Sequence, residues 1–255
     1  MAPTSNNSVL KEETFIVERL GRKTPVFAVG PDTPVALPAV IVVHEIFGVN
    51  EHIKDVARRF AGQNFRAFAP DLFALCERFP SDPERRNDLK TMREVWSSID
   101  DSELIAEMHA VFDAAARYPA VIPESIGAIG YCMGGAIALM FACSEGKLSW
   151  VADYYGRIKY GAISKEKPKH PIDYAGNLRC PLLGLFAGKD ELITGEHREQ
   201  LAALLQKNDK TFRIKVYEKA EHAFFNDQRP HYDREAAEDA WQLTLDFARL
   251  QNKAT

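Results

Sequence analysis

The sequence predicts an α/β fold, with a mostly parallel central sheet flanked by helices on both faces. Three observations carry this expectation. Strand-like and helix-like stretches alternate along the chain. Ala39-Val40-Ile41-Val42-Val43 is a dense apolar run of the kind found in a strand buried on both sides. Ser125 to Ala136 reads as a short apolar strand, a sharp glycine-framed turn and the start of a helix.

After the Ala39–Val43 strand, a helix is expected from about His52 to Asn64, where Ile53, Val56, Ala57 and Phe60 recur at helical spacing. Phe65 to Pro70 is the next strand. The polar stretch from Ala74 to Thr91, with Pro80, Pro83, Arg85 and Arg86, resembles a lid or excursion. A helix from about Asp101 to Tyr118 carries Leu104, Ile105, Met108, Val111 and Phe112 on one stripe. Beyond the glycine-framed turn, Trp150 to Tyr155 reads as a strand and Gly161 to Asn177 as a surface loop. Leu182 to Ala187 is a further buried strand, and Glu196 to Gln206 is helical. Phe212 to Tyr217 alternates apolar and charged residues, as a strand near a sheet edge does. Arg234 to Leu250 forms a last amphipathic helix. The expectation is one domain over residues 1–255, with residues 1–13 a flexible tail.

Composition narrows the function. A chain of 255 residues, 46% apolar, can bury a sizeable core. A net charge of −4 gives no reason to expect nucleic acid or an anionic membrane as partner. No apolar run approaches the roughly 20 residues of a membrane span, and Met1 to Val9 lacks a signal-peptide pattern. A cytoplasmic protein is expected. Cys76, Cys132, Cys143 and Cys180 form no C-x-x-C pair and no zinc-finger spacing. Cys143 and Cys180 read as structural.

Cys132 differs from the other three. It stands in G-x-C-x-G at Gly130 to Gly134, the nucleophile-elbow pattern of α/β-hydrolases with sulfur in place of oxygen. Such a turn lifts the side chain above the sheet at a helix N-terminus, where the helix dipole favours thiolate. A nucleophile of this kind needs a base, and the base needs an orienting carboxylate. The order in this fold is nucleophile, acid, histidine, each beyond the carboxyl end of a strand. Asp190 follows the Leu182–Ala187 strand and His222 follows the Phe212–Tyr217 strand. His231 is the alternative base and Asp153 the alternative acid. His52 and His109 fall in helical patterns; His170 and His197 fall in charged, surface-like segments.

His44-Glu45-Ile46-Phe47-Gly48-Val49-Asn50 follows the most apolar strand. This is where the fold places a loop that donates one N–H to an oxyanion hole. Ile46 is the expected donor, and Met133 the second. Glu45 is expected to point into the cleft near Cys132 and to compete for the histidine, the thiol proton or both.

With these residues in place, the chain resembles the dienelactone hydrolase family. The resemblance rests on H-E-I-F-G-V-N at His44–Asn50, A-P-D-L at Ala69–Leu72 and G-Y-C-M-G-G at Gly130–Gly135. It extends to D-Y-Y-G at Asp153–Gly156, G-K-D at Gly188–Asp190 and H-A-F-F-N at His222–Asn226. It implies an α/β-hydrolase that opens the lactone ring of dienelactones with a Cys132-Asp190-His222 triad through a thioester, with no metal or organic cofactor required. It also implies that Glu45 keeps the thiol quiet until a bound anion displaces it. Substrate-binding roles would fall to Arg85 or Arg86, Trp96, Tyr155 and Arg229. Asn226 departs from the pattern, since it occupies roughly the place of an arginine that holds a substrate carboxylate. The implied partner is a small lactone or ester, with the protein a monomer or weak homodimer. The alternatives are an esterase or thioesterase for another small substrate, or a non-catalytic receptor pocket. A redox sensor at Cys132 lacks a resolving cysteine nearby.

Overall fold

The computed structural model describes residues 9–82 and 84–253. Its strands are β1 (Leu10–Arg19), β2 (Arg22–Pro31), β3 (Leu37–Val43), β4 (Arg66–Pro70), β5 (Val121–Tyr131), β6 (Trp150–Tyr154), β7 (Leu182–Ala187) and β8 (Phe212–Tyr217). They form one eight-stranded sheet in the order β1-β2-β4-β3-β5-β6-β7-β8. The six strands from β4 to β8 run parallel. The β1–β2 hairpin joins antiparallel at one edge. The helices are α1 (Glu51–Ala61), α2 (Leu89–Ser97), α3 (Asp101–Ala116), α4 (Met133–Ser144), α5 (Gly195–Lys207) and α6 (Arg234–Lys253).

The expected strand positions from Ala39 onward agree with these elements, but three expectations need correction. Residues 10–13, assigned to a flexible tail, lie in β1; residues 1–8 fall outside the described residues. The hairpin turn hid this strand pair. It uses Leu20 at φ 50° and Gly21 at φ 78°, and leucine is an unusual residue in a turn that needs two positive φ angles. Second, the polar excursion ends in a true helix, α2, capped by Asp88 and burying Met92, Val95 and Trp96. Third, the run from Gly161 to Asn177 ends in a short 3-10 helix whose Pro171, Ile172 and Ala175 are buried.

Helices cover both faces. Side chains in register point to the same face of neighbouring strands. Tyr131 of β5 and Tyr154 of β6 stack at 4.8 Å. The Tyr154 hydroxyl donates to Ala240 O of α6 at 2.9 Å. On that side α1 and α6 meet through Phe60 and Trp241, 4.7 Å between ring centroids. Gly130 and Asp153 are also in register and face the opposite way, toward α4. From Met133 to Cys143 every residue of α4 is buried, as expected of a helix that is apolar all round. No helix is long and apolar enough to cross a membrane among the described residues.

Candidate active site

Cys132 joins β5 to α4 with φ 55° and ψ −113°, a conformation that costs a non-glycine residue of order 1–3 kcal/mol. Its surroundings leave no alternative path. The Cys132 N–H donates to Tyr154 O at 3.0 Å, and its carbonyl accepts from Gly135 N at 3.1 Å. A Cβ on Gly130 would lie 2.0 Å from Gly134 O, and one on Gly134 would lie 2.3 Å from Val43 O. Both are the framing glycines of the G-x-C-x-G pattern. Gly135 and Gly156 add a second contact that the sequence did not disclose, since a Cβ on either would sit 2.2 Å from Asp153 Oδ1.

The structure brings His222 and Asp190 to this point. His222 Nε2 lies 3.1 Å from Cys132 Sγ, and His222 Nδ1 lies 2.6 Å from Asp190 Oδ2. Asp190 is held by its other oxygen, which accepts from Leu192 N at 2.8 Å and Ile193 N at 3.2 Å. Arg198 braces the same loop by donating to Ala187 O and Ile193 O. Asp190 is therefore both a turn cap and the partner of the histidine. Burial alone would lower the affinity of His222 for a proton. The charge Cys132 can carry, then the Asp190 hydrogen bond, outweigh it and raise the pKa to about 10. The arrangement favours imidazolium beside sulfur.

Glu45 is buried, at 3% exposure, but its hydrogen bonds differ from expectation. Oε1 accepts from the Tyr155 hydroxyl at 3.3 Å and Oε2 from Asn226 Nδ2 at 2.6 Å. Among the described residues, neither Cys132 nor His222 hydrogen-bonds it. Two neutral donors thus hold the carboxylate in this arrangement. Burial, then the Glu45 charge, raises the Tyr155 pKa well above its usual value, so its hydroxyl remains a donor. The Tyr155 ring also meets the His222 ring edge-on at 5.3 Å.

Ile46 follows Glu45, and Met133 follows Cys132. Neither backbone N–H has an acceptor among the described residues. His44 fixes the first of these loops: its Nε2 accepts from Leu72 N at 3.1 Å and its Nδ1 donates to Glu45 O at 2.6 Å. Burial keeps that ring neutral. The sequence reading missed this role; a histidine at a buried strand end was its only signal.

Other candidates lie elsewhere. His231 pairs with Glu221 at 2.6 Å and is not the base partner of Cys132. Asp153 faces α4 and accepts from Gly156 N, not from a histidine. His52 is buried against Tyr131 and Phe225, His109 contacts Glu145, and His170 accepts from Tyr160 N. Arg86 donates to Pro80 O and lies over Phe79, Arg85 is exposed, and Arg229 lies 3.9 Å over the Phe47 ring. Trp96 packs edge-on against Tyr160. A cavity of about 700 Å³ bounded by Arg22, Cys76, Arg78 and Glu103 contains none of Cys132, Asp190 or His222. Among the described residues, no cluster of three or more His, Cys, Asp or Glu suits a metal ion.

Sheet order, elbow and flanking loops define an α/β-hydrolase. Comparison with known proteins narrows this. The model of the dienelactone hydrolase family matches residues 24–251, and the chain belongs to that family. A Salmonella typhi protein named "Putative carboxymethylenebutenolidase" is 36% identical over 220 residues, covering 86% of this chain and 79% of that protein. A protein of the same name from Saccharolobus solfataricus is 32% identical and covers 95% of this chain and 100% of its own. The crystal structure titled "Putative Dienelactone Hydrolase" from Klebsiella pneumoniae superposes with TM-score 0.88 at 33% identity, over 94% of this chain and 99% of that one. An acylaminoacyl peptidase from Pyrococcus horikoshii, at TM-score 0.70 and 13% identity, shares the fold. The protein is a dienelactone hydrolase-like hydrolase acting on a small ester or lactone.

Proposed function

We propose that Cys132, His222 and Asp190 form a catalytic triad that opens small lactones or esters, of dienelactone type, through a thioester. The carrying observation is the unbroken line from Asp190 Oδ2 through the imidazole to Cys132 Sγ, at 2.6 Å and 3.1 Å. The thiol proton passes to His222 Nε2, and the thiolate attacks the carbonyl carbon. The Ile46 and Met133 N–H groups, which have no acceptor among the described residues, receive the oxyanion in this reading; one such donor is worth about 3 kcal/mol. The carbon–oxygen bond to the leaving group breaks, and that oxygen takes the proton from His222. Water then attacks the thioester while His222 accepts its proton. The acid departs and sulfur regains a proton.

The same reading takes the chain as a single domain, acting as a monomer or weak homodimer in the cytoplasm. One continuous sheet and four free cysteines agree with it. The test is intact-protein mass spectrometry after mixing with an activated ester. Wild type should gain one acyl group, labile to hydroxylamine, and Cys132→Ala should gain none and lose turnover. An acyl adduct or full turnover in Cys132→Ala would refute the triad.

A further inference from the structure

Two hydrogen-bond contacts align His222, from Nδ1 to Asp190 at 2.6 Å and from Nε2 to Cys132 at 3.1 Å. Two contacts define a line, and the imidazole can still rock about it. A third contact off that line fixes the plane of the ring. Tyr155 supplies one: its ring meets the imidazole with 5.3 Å between centroids and 62° between planes. The family resemblance gives Tyr155 a substrate-binding role, yet the residue is 0% exposed and presents no surface to a ligand.

The fold commits backbone strain to placing this ring. Three non-glycine residues at the site take positive φ: Cys132 at 55°, Tyr155 at 42° and Ala223 at 65°. For a residue as bulky as tyrosine such a backbone is an outlier, and it persists only where its surroundings hold it. Here the Tyr155 N–H donates to Leu185 O of β7 at 2.9 Å. The ring packs against Phe224 at 5.3 Å and against Tyr131 and Tyr154, each at 6.2 Å. The hydroxyl donates to Glu45 Oε1 at 3.3 Å. Glu45 Oε2 accepts from Asn226 Nδ2 at 2.6 Å, and Asn226 N donates to Ala223 O, one residue from His222, at 3.0 Å. These contacts close a circuit from His222 through Tyr155, Glu45 and Asn226 back to the base loop at Ala223. Each member is held at two points, so the imidazole cannot turn toward the tyrosine without displacing a buried ring or its buried carboxylate post.

We propose that Tyr155 is a positioning residue that fixes the plane of the His222 imidazole, with Glu45 and Asn226 as the post that holds the tyrosine. The inference rests on the triad reading and deepens it. Asp190 and Cys132 set the line along which the proton moves, and Tyr155 sets the rotation of the ring about that line. A ring so held keeps Nε2 aimed at Sγ, and then at the water that attacks the thioester. Its effect falls on the chemical steps and not on substrate binding.

The test measures kcat and KM for para-nitrophenyl acetate, together with the rate at which iodoacetamide alkylates Cys132 at pH 7, which reads the imidazole–sulfur pair without substrate. In Tyr155→Phe the ring stays and its tether to Glu45 is lost. There kcat should fall by more than about twofold and up to about tenfold, the worth of one hydrogen bond, with KM held within about twofold. In Tyr155→Leu the ring contact goes as well, and kcat should fall about 10- to 100-fold. Alkylation should slow in the same order. Tyr155→Phe keeps the buried ring volume and decides the matter alone if Tyr155→Leu does not fold. A kcat for Tyr155→Phe within about twofold of wild type would overturn the assignment. A loss carried by KM would overturn it too, by making the tyrosine a substrate contact. So would a loss in kcat with alkylation unchanged, which would put the effect outside the Cys132–His222 pair. Failure of the triad reads out separately, as turnover that survives Cys132→Ala.

Discussion

Asp190→Asn separates the two tasks of one carboxylate. Oδ1 caps the loop by accepting from Leu192 N and Ile193 N, and Oδ2 orients His222 at 2.6 Å. An asparagine carbonyl can keep both loop bonds. Its amide nitrogen must then face His222 Nδ1, where only an acceptor is tolerated. The imidazole proton moves to Nε2, which points at Cys132 Sγ and can no longer take the thiol proton. Loss of a short hydrogen bond to a charged group is worth about 1.5–3 kcal/mol, or roughly 10- to 150-fold in rate at 1.36 kcal/mol per factor of ten. Tautomer reversal adds to this; in a serine triad the matching change costs about 10⁴-fold. We expect kcat for an activated ester to fall between about 10² and 10⁴-fold. Unfolding free energy in urea should stay within about 1 kcal/mol of wild type, because the loop cap survives. Activity within threefold of wild type would refute the orientation argument. So would a drop in rate that only parallels unfolding.

Three further outcomes follow from the same coordinates. In Cys132→Ala, the His222 titration followed by NMR should move down from about 10, since the charge sulfur can carry is the largest influence raising it; an unmoved titration would deny that coupling. Gly130→Ala would set a Cβ 2.0 Å from Gly134 O, a backbone clash with no flexible side chain to yield, and should cost about 3 kcal/mol or more in denaturant melts. Asp153→Asn should have a pH-dependent effect. Burial raises Asp153 from 3.8 to about 7, so wild type loses stability as pH climbs between those values and the loss levels off above. It amounts to about 4 kcal/mol at full ionisation. The variant's stability relative to wild type should therefore rise from pH 4 to 7, and a flat difference would contradict the buried charge.

The parallel half of the fold was legible because its strands are short apolar runs ended by Gly, Pro or Asp, and each run is long enough to fix the period. That Cys132, Asp190 and His222 would meet was legible for the same reason, since all three follow strand ends in chain order. The β1–β2 hairpin was not. Its edge strand is mostly charged and exposed, as unpaired edges tend to be, and its turn uses Leu20 where glycine or asparagine would have signalled it. Glu45 adjoins a buried strand in the sequence, but its hydrogen bonds were not predictable. Asn226 lies 181 residues away in sequence, and only the folded chain shows that its amide reaches Oε2.

The site's electrostatics explain why those distant contacts matter. Sulfur, Asp190 and Glu45 can each be negative, and like charges close together oppose ionisation of a thiol. The fold separates the three. Asp190 sits behind the imidazole, so its charge supports the cation that sulfur needs. Glu45 has each oxygen occupied by a neutral donor, Tyr155 or Asn226, and the raised pKa keeps the tyrosine from adding a further anion. Cations or partial positive charges adjoin sulfur: His222 and the first turn of α4. In the proposed triad, the acceptor for the thiol proton is defined by what each carboxylate is already doing. Glu45 is spent on its two donors and Asp190 on its loop and His222, which leaves Nε2 as the one basic atom in contact with Sγ among the described residues.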